Sequence, residues 1–99
     1  KGSEPRSRRP GLVVQNDLLN DSKLNTVIVV AITSNLKFGE LPGNVRLRRG
    51  EANLPKNSVV NMTQIKTVDK NSLREIIGSL AKKRLAEVYE GMKLVTDIS

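Results

Sequence analysis

The 99 residues, 37% hydrophobic and 27% charged, suffice for one domain spanning 1–99 with a single core, of a size that buries roughly 60–70% of its extended-chain surface. No apolar run approaches the roughly 20 residues that cross a bilayer, and the basic N-terminal stretch leads into no signal-type apolar segment, which points to a soluble, cytoplasmic protein with no membrane partner. Cys and His are both absent, which removes disulfides, thiol catalysis, Cys-based zinc sites, the commonest general base and the commonest metal ligand, so the expectation is chemistry without a metal or cofactor.

Seventeen Lys plus Arg against ten Asp plus Glu give a formal charge of +7, which favours polyanionic partners, either nucleic acid or an acidic protein segment. Lys1, Arg6, Arg8 and Arg9 crowd the first ten residues. Because Arg9 precedes proline, its backbone is pushed out of the α region into an extended form, and Pro10, lacking an N–H, belongs at the start or edge of a strand. The result is a guanidinium with five fixed donors at the rim of a sheet, suited to bidentate contact with phosphate oxygens, although an ordinary surface arginine produces the same pattern. Glu4, in "GSEP", is a carboxylate among arginines that keep it ionised, or simply a loop charge.

"GLVVQ" and "TVIVVAIT" are β-branched and apolar on both faces, as central strands are, and "NDLLNDSKLN" between them is rich in turn-forming Asn, Asp and Ser and reads as a loop. Thr33 closes the second strand on the face of Val27, Val29 and Ala31, where its hydroxyl either opens to solvent at the sheet rim or caps the turn "TSN". Phe38 lies in the loop "KFGELPG". "NVRLR" (44–48) sets Val45 and Leu47 against Arg46 and Arg48, a half-buried strand with a wet basic face. The basic clusters Arg46, Arg48, Arg49 and Lys82, Lys83, Arg84 each also read as a solvated face. "SVVNMTQIKTV" (58–68) is a further strand, with Val60, Met62, Gln64 and Lys66 on one side and Val59, Asn61, Thr63 and Ile65 on the other.

"DKNSLREIIGSL" predicts a short helical turn from Asp69 and a brief strand at Ile76 and Ile77. Beyond it Ala81, Leu85, Val88, Met92 and Val95 recur every three or four residues and leave Lys82, Arg84, Glu87, Glu90 and Lys93 outside, an amphipathic helix of about four turns with Ser79 as its cap and Tyr89 in the core. The predicted architecture is mostly β: a small sheet or partly open barrel closed by one C-terminal α-helix.

"KGSEPRSRRPGLVVQND", "NTVIVVAIT", "LPGNVRL", "NSVVNMTQIKTVDKNSL" and the closing helix, in that order and spacing, resemble the MazF/PemK (Kid) family of toxin endoribonucleases over nearly the whole chain. The resemblance implies an SH3-like barrel with a C-terminal helix, assembled as a homodimer with RNA along the subunit interface. The family pattern begins with one further strand, of the kind "RGDVYWVDF", ahead of the loop in which Lys1 stands, so the expectation is a sheet lacking that first strand. It further implies that Arg9, Thr33 and Glu4 are catalytic, that Gln64 helps form the RNA groove, that Ser3, Arg6 and Arg8 touch the RNA, and that a cognate antitoxin with an acidic, largely disordered tail covers the groove. Of the two aromatic residues, Phe38 is the loop candidate for base stacking.

RNA can be cut without metal or histidine when the substrate's own 2'-hydroxyl attacks the adjacent phosphorus, leaving a 2',3'-cyclic phosphate and a 5'-hydroxyl. Arg9 would then hold the non-bridging oxygens and Thr33 would add a hydrogen bond, while Glu4 serves as base or orients Arg9. Two other readings compete. A non-catalytic SH3-like RNA-binding module would need only the basic clusters, and a gyrase poison of the CcdB type would need a C-terminal tryptophan motif that "VTDIS" does not carry.

Overall fold

A computed structural model of the protein describes residues 9–97. Four antiparallel strands form one sheet in the order β1-β2-β4-β3: β1 is Gly11–Val13, β2 Thr26–Thr33, β3 Val45–Leu47 and β4 Ser58–Asp69. The β-branched run of β2 occupies the centre, paired on one side with β1 and on the other with β4. Among the described residues β1 therefore stands at an edge, where the sequence suggests a central position.

The two faces of this sheet differ in kind. Leu12 and Val14, then Val30 and Ile32, then Val60 and Met62, and finally Val45 and Leu47 point to the face that carries the core. Helix α2 (Lys82–Val95) covers that face with Val88, Met92 and Val95, helped by Leu54 and Leu80 from the connecting segments. Each buried aliphatic side chain of this cluster contributes roughly 1.5–3 kcal/mol by leaving water. The helix comes close enough that the Cα of Gly91 rests against the carbonyl of Gly43, itself in the left-handed region at φ 89°, and no side chain fits between them. The opposite face carries Val29, Ala31 and Thr33 from β2, Val59 and Asn61 from β4, and Arg46 from β3.

β4 is not continuous with β2. Val30 pairs with Ile65 but Ala31 pairs with Asn61, so Met62, Thr63 and Gln64 have no counterpart on the neighbouring strand. Such a bulge bends its strand sharply. It divides β4 into an N-terminal half buried on both faces and a C-terminal half that is largely exposed.

Several local expectations are corrected. Residues Asp17–Asn20 form a one-turn helix, α1, because the Asn16 side chain accepts the Leu18 N–H and caps it, where composition alone suggests a loop. Ile76 and Ile77 form no strand; the predicted turn after Asp69 is a 3₁₀ turn at Lys70–Ser72 and extended chain follows. The residue capping α2 is Ala81, with no side-chain bond, and not Ser79. Tyr89 is 64% exposed and lies under the Lys93 ammonium, 5.5 Å from ring centroid to nitrogen, rather than in the core, and Leu85 is likewise largely outside it. The period of 3.6 places a residue on a face, and here α2 turns Val88, Met92 and Val95 to the core and leaves Leu85 and Tyr89 on its flank.

Candidate active site

The register of β1 against β2 pairs Gly11 with Ala31, and the Ile32 N–H donates to the Pro10 carbonyl at 3.1 Å. Continued one residue beyond that bond, the same register sets Arg9 across from Thr33. Directly opposed residues project from the same face of an antiparallel sheet with Cβ atoms roughly 4.5–5.5 Å apart, so a strand continued to Arg9 would bring its exposed guanidinium to the rim where the half-buried Thr33 hydroxyl lies. Proline suits its position here, since Pro10 serves the ladder only as an acceptor.

The Thr33 hydroxyl oxygen accepts the Asn35 N–H at 3.1 Å, so it does cap the turn. A hydroxyl has one proton and two lone pairs, and this bond uses one lone pair, which leaves the proton free to donate to an anion brought beside it. The capping and anion-binding roles are compatible in one side chain.

The chain after Thr33 enters a 3₁₀ turn, Leu36–Glu40, which holds Phe38 half-buried. Asn44 ties this turn to the bulge: its amide donates to the Phe38 carbonyl at 2.9 Å and to Asn61 Oδ1 at 3.2 Å, and its Oδ1 accepts the Met62 N–H at 2.8 Å. Asn61 Oδ1 in turn accepts the Thr63 N–H and hydroxyl at 3.3 and 2.9 Å. The amide that the bulge would orphan is thus satisfied, and exposed Gln64 is presented from a fixed bend. Neither Asn44 nor Asn61 stands out among the site residues expected from sequence. The available signal was an asparagine inside an apolar strand run, which once buried must find partners.

Electrostatically the described part of the site is a surface of donors. Glu51, in the turn after β3, accepts the Arg48 N–H at 2.7 Å and pairs with Arg84 at 2.8 and 3.0 Å, and Glu87 and Glu90 of α2 border the hollow beside Val45 and Arg46. The Arg84 guanidinium and then the Arg48 amide hold the Glu51 carboxyl below the ordinary range, and Glu51 and Glu87 together push the Arg84 guanidinium higher still. Arg46, Arg48 and Arg49 have no carboxylate within ion-pair distance among the described residues. Of the expected site residues, Arg9 lies two residues ahead of β1 and Thr33 ends the neighbouring strand, Phe38 and Gln64 lie on elements joined by Asn44, and Ser3, Glu4, Arg6 and Arg8 lie outside the described residues.

The chain that builds this small sheet and its closing helix is matched by a known family. The model of the PemK-like, MazF-like toxins of type II toxin–antitoxin systems matches residues 1–96. The chain belongs to this family. It is similar, at 43% identity over 98% of its length and 85% of the relative, to endoribonuclease MazF6 of Mycobacterium tuberculosis. It is also 39% identical to endoribonuclease MazF of Staphylococcus saprophyticus, over 95% of this chain and 78% of that one. Among solved structures, the Mycobacterium tuberculosis toxin MazF-mt6 superposes with a TM-score of 0.81 over 92% of this chain and 88% of its own, at 23% identity. A mycobacterial endoribonuclease in complex with its cognate antitoxin superposes at 0.80 over 97% and 87%, at 19% identity. The half-barrel sheet with its C-terminal helix is therefore the fold of MazF toxins. By family this chain is an endoribonuclease toxin.

Proposed function

We propose that this MazF-like toxin, a single domain over 1–99, cuts single-stranded mRNA at defined sequences by in-line attack of the 2'-hydroxyl, without metal, leaving a 2',3'-cyclic phosphate and a 5'-hydroxyl and so stopping translation in the cytoplasm. The observation that supports this reading is the β1–β2 register, with Gly11 opposite Ala31 and the Ile32 N–H on the Pro10 carbonyl, which if continued would set Arg9 across from Thr33. Arg9 grips the non-bridging oxygens as negative charge grows on the phosphorane, and the Thr33 hydroxyl donates to the same oxygens. One such preorganised donor is typically worth roughly 3–4 kcal/mol in the transition state. Glu4 acts as the base or orients Arg9, and Ser3, Arg6 and Arg8 hold flanking phosphates, the roles that family resemblance gives them. Phe38 and Gln64 read bases from the loop and the bulge, which requires a strand whose bases are splayed out.

The partners follow from charge and apolar exposure. An acidic antitoxin segment complements a surface of net charge +7. Exposed Leu73, Ile76 and Ile77 supply apolar area for a twofold contact between two copies. The test is an oligonucleotide carrying a single 2'-deoxy sugar on the 5' side of the cut. The proposal predicts that this one substitution abolishes cleavage in excess chelator while leaving binding intact; cleavage that survives it, or that needs added metal, contradicts the mechanism.

A further inference from the structure

The sheet row on which Thr33 lies does not stop at β2. Thr33 pairs with Val59 on β4 and Val59 pairs with Arg46 on β3, so Arg46 leaves the sheet on the same face as Thr33, two strand spacings or roughly 10 Å away. Between them Val59 is wholly buried, so the exposed side chains of this row are at its two ends. The Arg46 side chain lies along the backbone of Gly39, in the turn that carries Phe38, where a Cβ would come within 2.7 Å of the guanidinium carbon. Glycine at 39 leaves the room that this guanidinium occupies. Arg48, the residue after β3, is exposed and borders the same hollow as Arg46 and Asn57, while Val45 and Leu47 are buried. Neither arginine has a carboxylate within ion-pair distance among the described residues, and Glu51, which bonds the Arg48 backbone N–H, is taken up by Arg84.

We propose that Arg46 and Arg48 form a phosphate track that carries the RNA strand away from the Arg9–Thr33 rim, past Phe38 and across β3. The inference rests on the ribonuclease reading. It assigns to these two arginines a positioning role: they bind backbone phosphates remote from the cut, irrespective of base, and never meet the reacting atoms. Two neighbouring guanidiniums without a carboxylate within ion-pair distance among the described residues favour a chain of regularly spaced anions, and the sheet row aligns Arg46 with Thr33 at the cleavage rim.

The experiment compares wild type with the Arg46→Ala/Arg48→Ala double variant on a long single-stranded RNA and on a short oligonucleotide spanning only the cut and its nearest neighbours. On the long RNA, KM should rise roughly tenfold or more for any sequence with kcat unchanged. The dependence of log affinity on log salt should become shallower by about 1.4, since each single-strand phosphate that an arginine neutralises adds about 0.7 to the slope. On the short oligonucleotide the two proteins should cut alike, and Arg46→Lys/Arg48→Lys should restore most of the salt slope. Equal KM and equal slope on long RNA, or an equal fall on both substrates, overturns the track. So does a double variant that loses affinity for an acidic polyglutamate peptide while binding RNA as before, which assigns the surface to a protein partner instead. Binding of a 2'-deoxy-blocked long strand reads the track without cleavage, so a wild type that binds with the full slope but cuts nothing counts against the ribonuclease reading alone.

Discussion

Replacing Thr33 separates the uses of its hydroxyl. Thr33→Val keeps the shape but removes both the lone pair that holds the Asn35 N–H and the proton offered to phosphate. If the proton carries the transition state, single-turnover cleavage should fall about 10²–10³-fold, while the missing turn bond costs only about 1 kcal/mol of stability in urea. Thr33→Ser, which keeps both, should stay within about tenfold of wild type; equal rates for valine and serine would reduce Thr33 to a turn cap. At this scale the sequence was informative to different degrees. Alternation in "NVRLR" correctly set Arg46 and Arg48 in solvent. Which face of the sheet they share, and with whom, depends on strand order and register, and these are non-local. The roles proposed for Arg9 and Thr33 rest on family resemblance alone, since an arginine before proline and a threonine before a turn are common on any surface.

At the scale of elements the informative feature is the bulge in β4. Met62 donates its N–H to Asn44 Oδ1 because the ladder offers it no partner there. Asn44→Ala removes that acceptor and leaves Asn61 short of a donor, so it should destabilise the fold by about 2–3 kcal/mol and speed amide exchange at Met62 and Thr63 more than in the rest of β4. Exchange rising evenly along the strand would show that Asn44 supports the sheet generally and not the bend that presents Gln64. Long, strongly patterned elements such as β2, β4 and α2 were legible in the sequence. The bulge was not, because a run that is apolar on both faces looks the same whether its register slips or holds. A one-turn helix such as α1 depends on a single cap bond, below what periodicity can register.

Across the whole molecule, the Glu51–Arg84 pair fastens the β3–β4 connection to α2. Glu51 has its folded pKa below the ordinary glutamate value of about 4.3, so its contribution is complete above that value and is lost as pH falls through the lower folded one. Urea midpoints measured between pH 7 and 3 should therefore drop more steeply for wild type than for Glu51→Gln, with the curves converging at the acid end; parallel curves would mean that the pair contributes nothing measurable. The fold class, the closing helix and the cationic character were all contained in composition and pattern. The alignment of Thr33 and Arg46 in one row belongs to the assembled sheet.

The central claim is that the Arg9–Thr33 rim performs the cleavage. It is tested most directly by incubating wild type and Arg9→Ala with a long mixed-sequence single-stranded RNA in excess chelator and sequencing the new ends. The account predicts discrete cuts with 5'-hydroxyl ends for wild type and a loss of at least about 10²-fold for Arg9→Ala, with RNA binding largely retained. Cuts of equal rate and position from both proteins would contradict it.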